Sequence, residues 1–212
     1  MIKVETAPSP HPAVNQYRHS LRNSATPIIC SVIFVAAFVV YAPILTGYFL
    51  SDDFGNVQLF LSRKFVDWPR LFYSDWSDGM WGFRLNELRP VIALSFIFDG
   101  FLWKANSFGY HLTNVLFHAF NSLLAFFIAR TIVRVDKVVA LVAGLLFALY
   151  PAHVNAVSWI SGRNDVISTF FYLSSLLSFS LYRSERKSRY YVVSLILFAL
   201  ECSPRRQLSR CR

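Results

Sequence analysis

Charge is what this sequence has least of. Only 16% of its 212 residues are Asp, Glu, Lys or Arg, while 55% are hydrophobic. Soluble domains carry roughly 25% charged residues, so an ordinary water-facing surface is excluded for most of the chain. Cysteine is also scarce. The three residues Cys30, Cys202 and Cys211 make no disulfide framework and read as inert thiols. No phosphate-cradling glycine loop, no G-x-S-x-G and no H-E-x-x-H occurs, which leaves out the common soluble NTPase, serine-hydrolase and zinc-protease signatures. Internal repeats are not evident. The net charge of +9 does not form one basic patch interleaved with aromatics, as nucleic-acid binding would require. The basic residues lie in short clusters between apolar runs, which is the pattern of membrane topology.

The apolar runs come in series. Residues 1–26 are polar, rich in Pro, Ser and Asn, and read as a disordered cytoplasmic tail with Lys3, Arg18 and Arg22. Pro27 to Leu50 then runs without a charge. At helical rise that length covers roughly 30 Å, enough for the hydrocarbon core. It is too long for a signal-peptide core and no small-residue cleavage site follows, so it reads as an uncleaved anchor. Further spans are expected at about 108–130, 138–158 and 166–182, with an incomplete one at 190–200. Pro151 is expected to end or kink its helix near Tyr150. Between the first two spans lies an extracytoplasmic loop, 51–107. It carries Asp52, Asp53, Asp67, Asp75, Asp78 and Glu87, with Trp68, Trp76 and Trp81 as interface anchors. Val91 to Trp103 is apolar but too short to span and is interrupted by Asp99, so it reads as an interfacial helix.

Loop charges set the orientation. Arg130, Arg134 and Lys137 follow the second span, and Arg183, Arg186, Lys187 and Arg189 follow the fourth. With the N-terminus inside, all of these fall in the cytoplasm. Alternation then puts Asp52, Asp53 and Arg163 together on the opposite side. The expected class is an all-α, multi-spanning integral membrane protein. Residues 27–200 form its membrane module and 201–212 an aberrant tail. The last apolar run covers half a bilayer and is followed by Arg205, Arg206, Arg210 and Arg212. A truncated or frame-shifted end is the expectation there.

Four groups of residues can carry chemistry. Asp52 and Asp53 are adjacent acids where the first span leaves the membrane. One can act as a general base toward an acceptor hydroxyl while the other orients it, or the pair can hold a divalent metal. A solvated turn is the bland alternative. Arg163, in Ser161-Gly-Arg-Asn-Asp165, is a fork suited to phosphate oxygens at a helix start, or else an interface anchor. Arg89, with Arg84 nearby, is a second phosphate candidate on the same terms. His111, Asn114, His118 and Asn121 fall on one helix face. They either line a cavity or bond neighbouring helices, the second being the reading for His118 and Asn121. His111 and His118 lie about 10 Å apart along the axis, which disfavours a shared zinc. His153, past Pro151, can titrate near neutral pH or act as a loop cap.

Taken in order, these segments resemble the N-terminal membrane part of the transmembrane-and-tetratricopeptide-repeat proteins. The segments are Asp52-Asp53, Arg89-Pro90, Phe108-Gly-Tyr-His-Leu-Thr-Asn114 and Leu149-Tyr-Pro-Ala-His-Val-Asn-Ala-Val-Ser-Trp-Ile-Ser-Gly-Arg-Asn-Asp165. Those proteins are O-mannosyltransferase-like members of the GT-C glycosyltransferase superfamily. The resemblance implies a GT-C-like helical bundle with its site on the extracytoplasmic face, in a bacterial inner membrane or the endoplasmic reticulum. It implies a sugar donor on a polyprenyl phosphate, a protein hydroxyl as acceptor, and no nucleic-acid partner. By residue, Asp52 or Asp53 would be catalytic and Arg163 and Arg89 would bind the donor phosphate. His111, Asn114, His153 and Asp165 would line the cavity. The chain departs from the family where Tyr150 replaces a histidine and Asn155 a glutamate, so no acid role is expected at 155. The family also continues into further spans and helical repeats. The alternative is a non-catalytic membrane component, or an inactive fragment, with a part in assembly or transport.

Overall fold

The computed structural model describes residues 25–62, 65–73 and 89–201, and all described secondary structure is helical. The N-terminal tail as far as residue 24, the tail from 202, and Arg84, Asp75, Asp78, Glu87, Trp76 and Trp81 lie outside the described residues, as do the side chains of Asp67 and Trp68.

Helix α1 spans Ala25–Tyr41 and tightens into a 3-10 turn, Ala42–Thr46, with Pro43 near its start. The chain therefore leaves helical geometry at Gly47, earlier than the uncharged run alone suggests. Ser51 takes a left-handed backbone (φ 51°), which turns the chain out of the first helical segment into α2, Asp53–Ser62. A 3-10 segment, Phe65–Phe72, follows. Pro90 opens α3, Pro90–Trp103, where its missing N–H costs nothing. Helix α4, Ser107–Ile128, starts on Asn106, whose side chain accepts a hydrogen bond from the Phe108 amide. It ends in a π turn, Ala129–Val133. Helix α5, Lys137–Leu149, starts on Asp136, whose Oδ1 accepts from the amides of Val138 and Val139.

The break at Tyr150-Pro151 falls where a proline dictates it, and the chain bends by 41° there. A 3-10 turn, Pro151–His153, leads into the short α6, Val154–Ser158. A second turn, Ile160–Gly162, leads into α7, Arg163–Glu185. Helix α8, Ser188–Glu201, folds back along α7, and Ser175 donates to the Ser194 carbonyl across that pair.

Helix α4 is the hub, packed against α1, α3, α5, α6 and α7. Its polar residues face these neighbours because lipid offers them no partner. Asn121 donates to the Val166 carbonyl at 2.9 Å, and the His118 ring meets the Ala148 carbonyl at 3.1 Å. Small residues Ala37, Ala119 and Ala148 are buried together where α1, α4 and α5 approach. At one end of the bundle α2 and α3 cover α4 with a larger apolar cluster that includes Phe49, Phe60, Phe96, Ile97, Tyr110, Ile160 and Ile167.

Among the described residues two helical segments are long and apolar enough to cross a membrane, Ala25–Thr46 and Ser107–Val133, and the bent pair from Lys137 to Ser158 makes a third if it is one span. The segment expected to span at 166–182 is helical over Arg163–Glu185, but it falls below the apolar character of the others. Six hydroxyl residues (Ser168, Thr169, Ser174, Ser175, Ser178 and Ser180) dilute it.

Candidate active site

The first acids and the Ser161 loop meet at one end of the bundle although 108 residues separate them. Asp53 begins α2 and is fully buried. Its Oδ2 accepts from the Leu50 amide at 3.0 Å, closing the turn made at Ser51. Its Oδ1 accepts from the Ser161 amide at 2.8 Å and from Ser161 Oγ at 2.6 Å. Ser161 Oγ in turn accepts from Asn56 Nδ2 at 2.9 Å. Asp53 is thus a fully satisfied buried carboxylate, which is the condition for keeping such a group inside protein.

Asp52 stands differently. It is only partly buried, and its Oδ1 is enclosed without a hydrogen-bond donor. Burial pushes its carboxyl above the ordinary carboxylate range, and repulsion from Asp53 adds to that. The side chains of Trp159 and Ser161 favour the charged form and offset the shift in part.

The loop between α6 and α7 is held from three sides. Asn114 Nδ2 donates to the carbonyls of Trp159 at 3.0 Å and Val157 at 3.3 Å. Gly162 lets the loop fold onto α6, since a Cβ there would come within 2.9 Å of the Ala156 carbonyl oxygen and 3.0 Å of that of Asn155. Arg163 ties it to α3. The guanidinium is fully buried and pairs with Asp99 Oδ2 at 2.8 Å. Nη1 also donates to Ser95 Oγ, Nη2 to the Tyr110 carbonyl, and Nε to the Ile160 carbonyl. Its Cζ lies over the Phe96 ring, 4.1 Å from the centroid. Asp99 accepts a further bond from Thr113 Oγ1 at 2.8 Å.

His111 is buried on α4 beside Gly47, where a Cβ would lie 3.3 Å from His111 Nε2. Both of its ring nitrogens are buried without a hydrogen-bond partner among the described residues. One turn earlier on α4, Ser107 Oγ donates to the Gly47 carbonyl, so two residues of α4 meet the chain at Gly47.

This arrangement joins the end of the first apolar segment, an acid pair and a basic loop residue, and it invites comparison with known proteins. A fruit fly protein, Protein O-mannosyl-transferase Tmtc1 of Drosophila melanogaster, is 33% identical over 174 residues, covering 78% of this chain and 20% of the relative. Human Protein O-mannosyl-transferase TMTC2 is 37% identical over 125 residues, covering 56% of this chain and 14% of the relative. Mouse Protein O-mannosyl-transferase TMTC3 is 29% identical over 148 residues, covering 67% and 16%. Over the matched residues the chain belongs to the transmembrane-and-tetratricopeptide-repeat protein family. It spans about a fifth of the length of these relatives, or less. No protein-family model and no solved structure matches it.

The family member's predicted site residues do not all converge. Asp52 and Asp53 meet the Trp159–Ser161 loop, and Asn114 holds that loop from α4. Arg163, expected to meet a phosphate, faces protein on every side and acts here as a clamp between α3 and α7. Arg89 is half-buried at the start of α3. Asp165 is exposed in the first turn of α7, where a negative charge suits the helix N-terminus. His153 lies on the far side of the Pro151 break, its Nδ1 3.0 Å from the Phe147 carbonyl and its ring 5.3 Å from that of His118. Among the described residues no three His, Cys, Asp or Glu side chains gather as a metal site. Both oxygens of Asp53 already accept from N–H and O–H donors, so within the acid pair it is Asp52 that keeps an oxygen without a donor.

Three residues of this site escaped sequence reasoning. Asp99 looked like an interruption in an apolar stretch, and that anomaly was its signal. Asn56 sits one helical turn after Asp52, on the face that α2 buries. Ser161 carried no signal of its own.

Proposed function

We propose that this chain carries the acid site of a GT-C-type membrane glycosyltransferase, which moves a sugar from a polyprenyl-phosphate carrier to a protein hydroxyl on the extracytoplasmic face. The observation that carries the reading is the contrast within the acid pair. Asp53 is locked by three donors, whereas Asp52 keeps an unpartnered oxygen at the same corner. The names of the relatives add the reaction class, protein O-mannosyl transfer.

In this scheme Asp52 is the general base and Asp53 fixes it. The acceptor hydroxyl oxygen attacks the anomeric carbon of the donor sugar, and Asp52 Oδ1 takes the hydroxyl proton. The bond between that carbon and the phosphate oxygen breaks, and the lipid phosphate leaves with the electron pair. A base with a raised carboxyl pKa is matched to abstracting a hydroxyl proton near neutral pH. Arg89, half-buried at the head of α3, is the phosphate contact of the scheme. Basic residues 130, 134, 137, 183, 186, 187 and 189 lie toward the far ends of α4 and α7. Helix α7, with its 23 residues, separates the two ends by about 34 Å at helical rise. That separation supports a cytoplasmic N-terminus under the positive-inside rule.

The test is sugar transfer in membranes that carry the chain, from a labelled mannosyl polyprenyl phosphate to a Ser- and Thr-containing peptide. Transfer that survives Asp52→Asn at the wild-type rate would sink the assignment of the base. A second reading, a non-catalytic helix-assembly module, is favoured by one observation. Asn114, His118 and Asn121 all bond neighbouring backbone carbonyls. That reading gains if transfer is absent and Asn121→Leu weakens assembly.

A further inference from the structure

We infer that the buried Arg163–Asp99 ion pair is a positioning device for the acid pair, transmitted through Ile160 and Ser161. The inference rests on the reading above, in which Asp52 is the reacting carboxylate. Arg163 touches neither acid through a hydrogen bond. Its Nε holds the Ile160 carbonyl, and the next residue, Ser161, supplies two of the three donors that lock Asp53. The other end of the guanidinium is fixed on α3 by Asp99 and Ser95 and on α4 by the Tyr110 carbonyl. Three of its five N–H donors are in hydrogen bonds, and the Asp99 contact adds an ion pair.

A charge pair buried this deeply is poor value as glue. Desolvating both ions costs about as much as their attraction returns, and apolar residues of the same volume often serve as well. What the pair supplies is direction. A planar fork bonded to three elements admits one placement of the loop, and the Phe96 ring lies against it with its centroid 4.1 Å from Cζ. The chain of contacts runs α3, Arg163, Ile160, Ser161, Asp53, and Asp52 is the neighbour of the last. Moving the loop away would expose Asp53 and admit water to Asp52, removing the burial that raises its carboxyl.

Reactivity of the two carboxyls tests this without calling on transfer. A hydrophobic carbodiimide labels protonated carboxyl groups, and peptide mass analysis separates Asp52 from Asp53. The full chain in detergent is labelled across pH as wild type, as Ser161→Ala and as the double variant Asp99→Asn with Arg163→Gln. Monodispersity and helical content establish that each is folded. In the wild type Asp52 is expected to label at pH values above the ordinary carboxylate range, and Asp53 to stay unreactive. Both variants are expected to open Asp53 to modification, and the double variant, by freeing the loop and admitting water, to lower the apparent pKa of Asp52.

Labelling of the folded double variant that matches wild type overturns the proposal, since the pair would then hold α3 alone. Should the double variant not fold, Arg163→Lys keeps a charge on Asp99 but cannot reach three elements at once, and the same comparison decides. Altered labelling in a chain that transfers no sugar would leave the coupling standing and remove only the catalytic reading.

Discussion

Asp53 Oδ1 accepts both the main-chain N–H and the hydroxyl of Ser161, at 2.8 and 2.6 Å, across 108 residues of chain. This double contact ties the turn after the first apolar helical segment to the loop before α7. It also divides the labour between two adjacent acids, because the partner of Asp53 leaves Asp52 with an oxygen to spare.

Asp53→Ala removes an acceptor from three donors, two of them on Ser161. Hydrogen bonds to a charged group are worth about 1.5–3 kcal/mol each, so a loss of about 3 kcal/mol or more is expected after relaxation. Thermal unfolding in detergent measures it. Stability within about 0.5 kcal/mol of wild type would contradict a locked Asp53.

Asp52→Asn is expected to act in the opposite sense on stability. The folded carboxyl sits above its unfolded value because burial and Asp53 disfavour the anion. A group raised in this way stabilises fully below its unfolded pKa, about 3.9 for Asp, and that stabilisation is lost as pH rises through the folded value. The amide carries no such loss. At neutral pH the variant should therefore melt higher than wild type, with the difference vanishing in acid. Its rate of sugar transfer should fall by about 10²- to 10⁴-fold, the usual contribution of a general base. A variant that melts lower at pH 7 than at pH 4, relative to wild type, refutes the placement of Asp52.

Arg163→Met leaves Asp99 buried without its counter-ion, a change that typically costs about 3–5 kcal/mol. Pairing it with Asp99→Leu should recover much of the loss, since no charge then remains inside. A double-mutant cycle on thermal stability reads the coupling. Strict additivity would show that the two side chains do not form a pair.

Gly162→Ala places a methyl group within 2.9 Å of one backbone carbonyl oxygen and 3.0 Å of another, and neither can swing aside. Crowding of this kind costs about 1–3 kcal/mol. The same change at Gly55, half-buried on α2, serves as a control for helix propensity, which there favours alanine. Equal melting shifts at the two positions would mean that the loop does not press on α6.

Asn121→Leu removes one donor to the Val166 carbonyl between α4 and α7. Interhelical bonds in membranes average roughly 0.6 kcal/mol and reach about 1.7. A loss in that range is expected, with carbodiimide labelling of Asp52 unchanged. A change in labelling would mean that α4 and α7 couple to the site along their whole length.

Much of the architecture is legible in one dimension. Uncharged runs mark the apolar helices because charges are costly in lipid. Pro151 announces the bend because it cannot donate to the preceding turn. The spacing of His111, Asn114, His118 and Asn121 puts four polar groups on one face whatever that face meets. The acid pair and the Arg163 loop can be assigned to one side by counting spans.

Tertiary structure decided what those residues do. Adjacent Asp52 and Asp53 are equivalent in the sequence, and only the approach of Ser161 makes one a lock and leaves the other open. Arg163 reads as a phosphate fork at a helix start until Asp99, 64 positions earlier, takes its charge. Local pattern fixes where the helices run, since periodicity and hydropathy act on neighbouring residues. Partner choice among buried polar groups depends on which helices meet, and that is a property of the packed bundle.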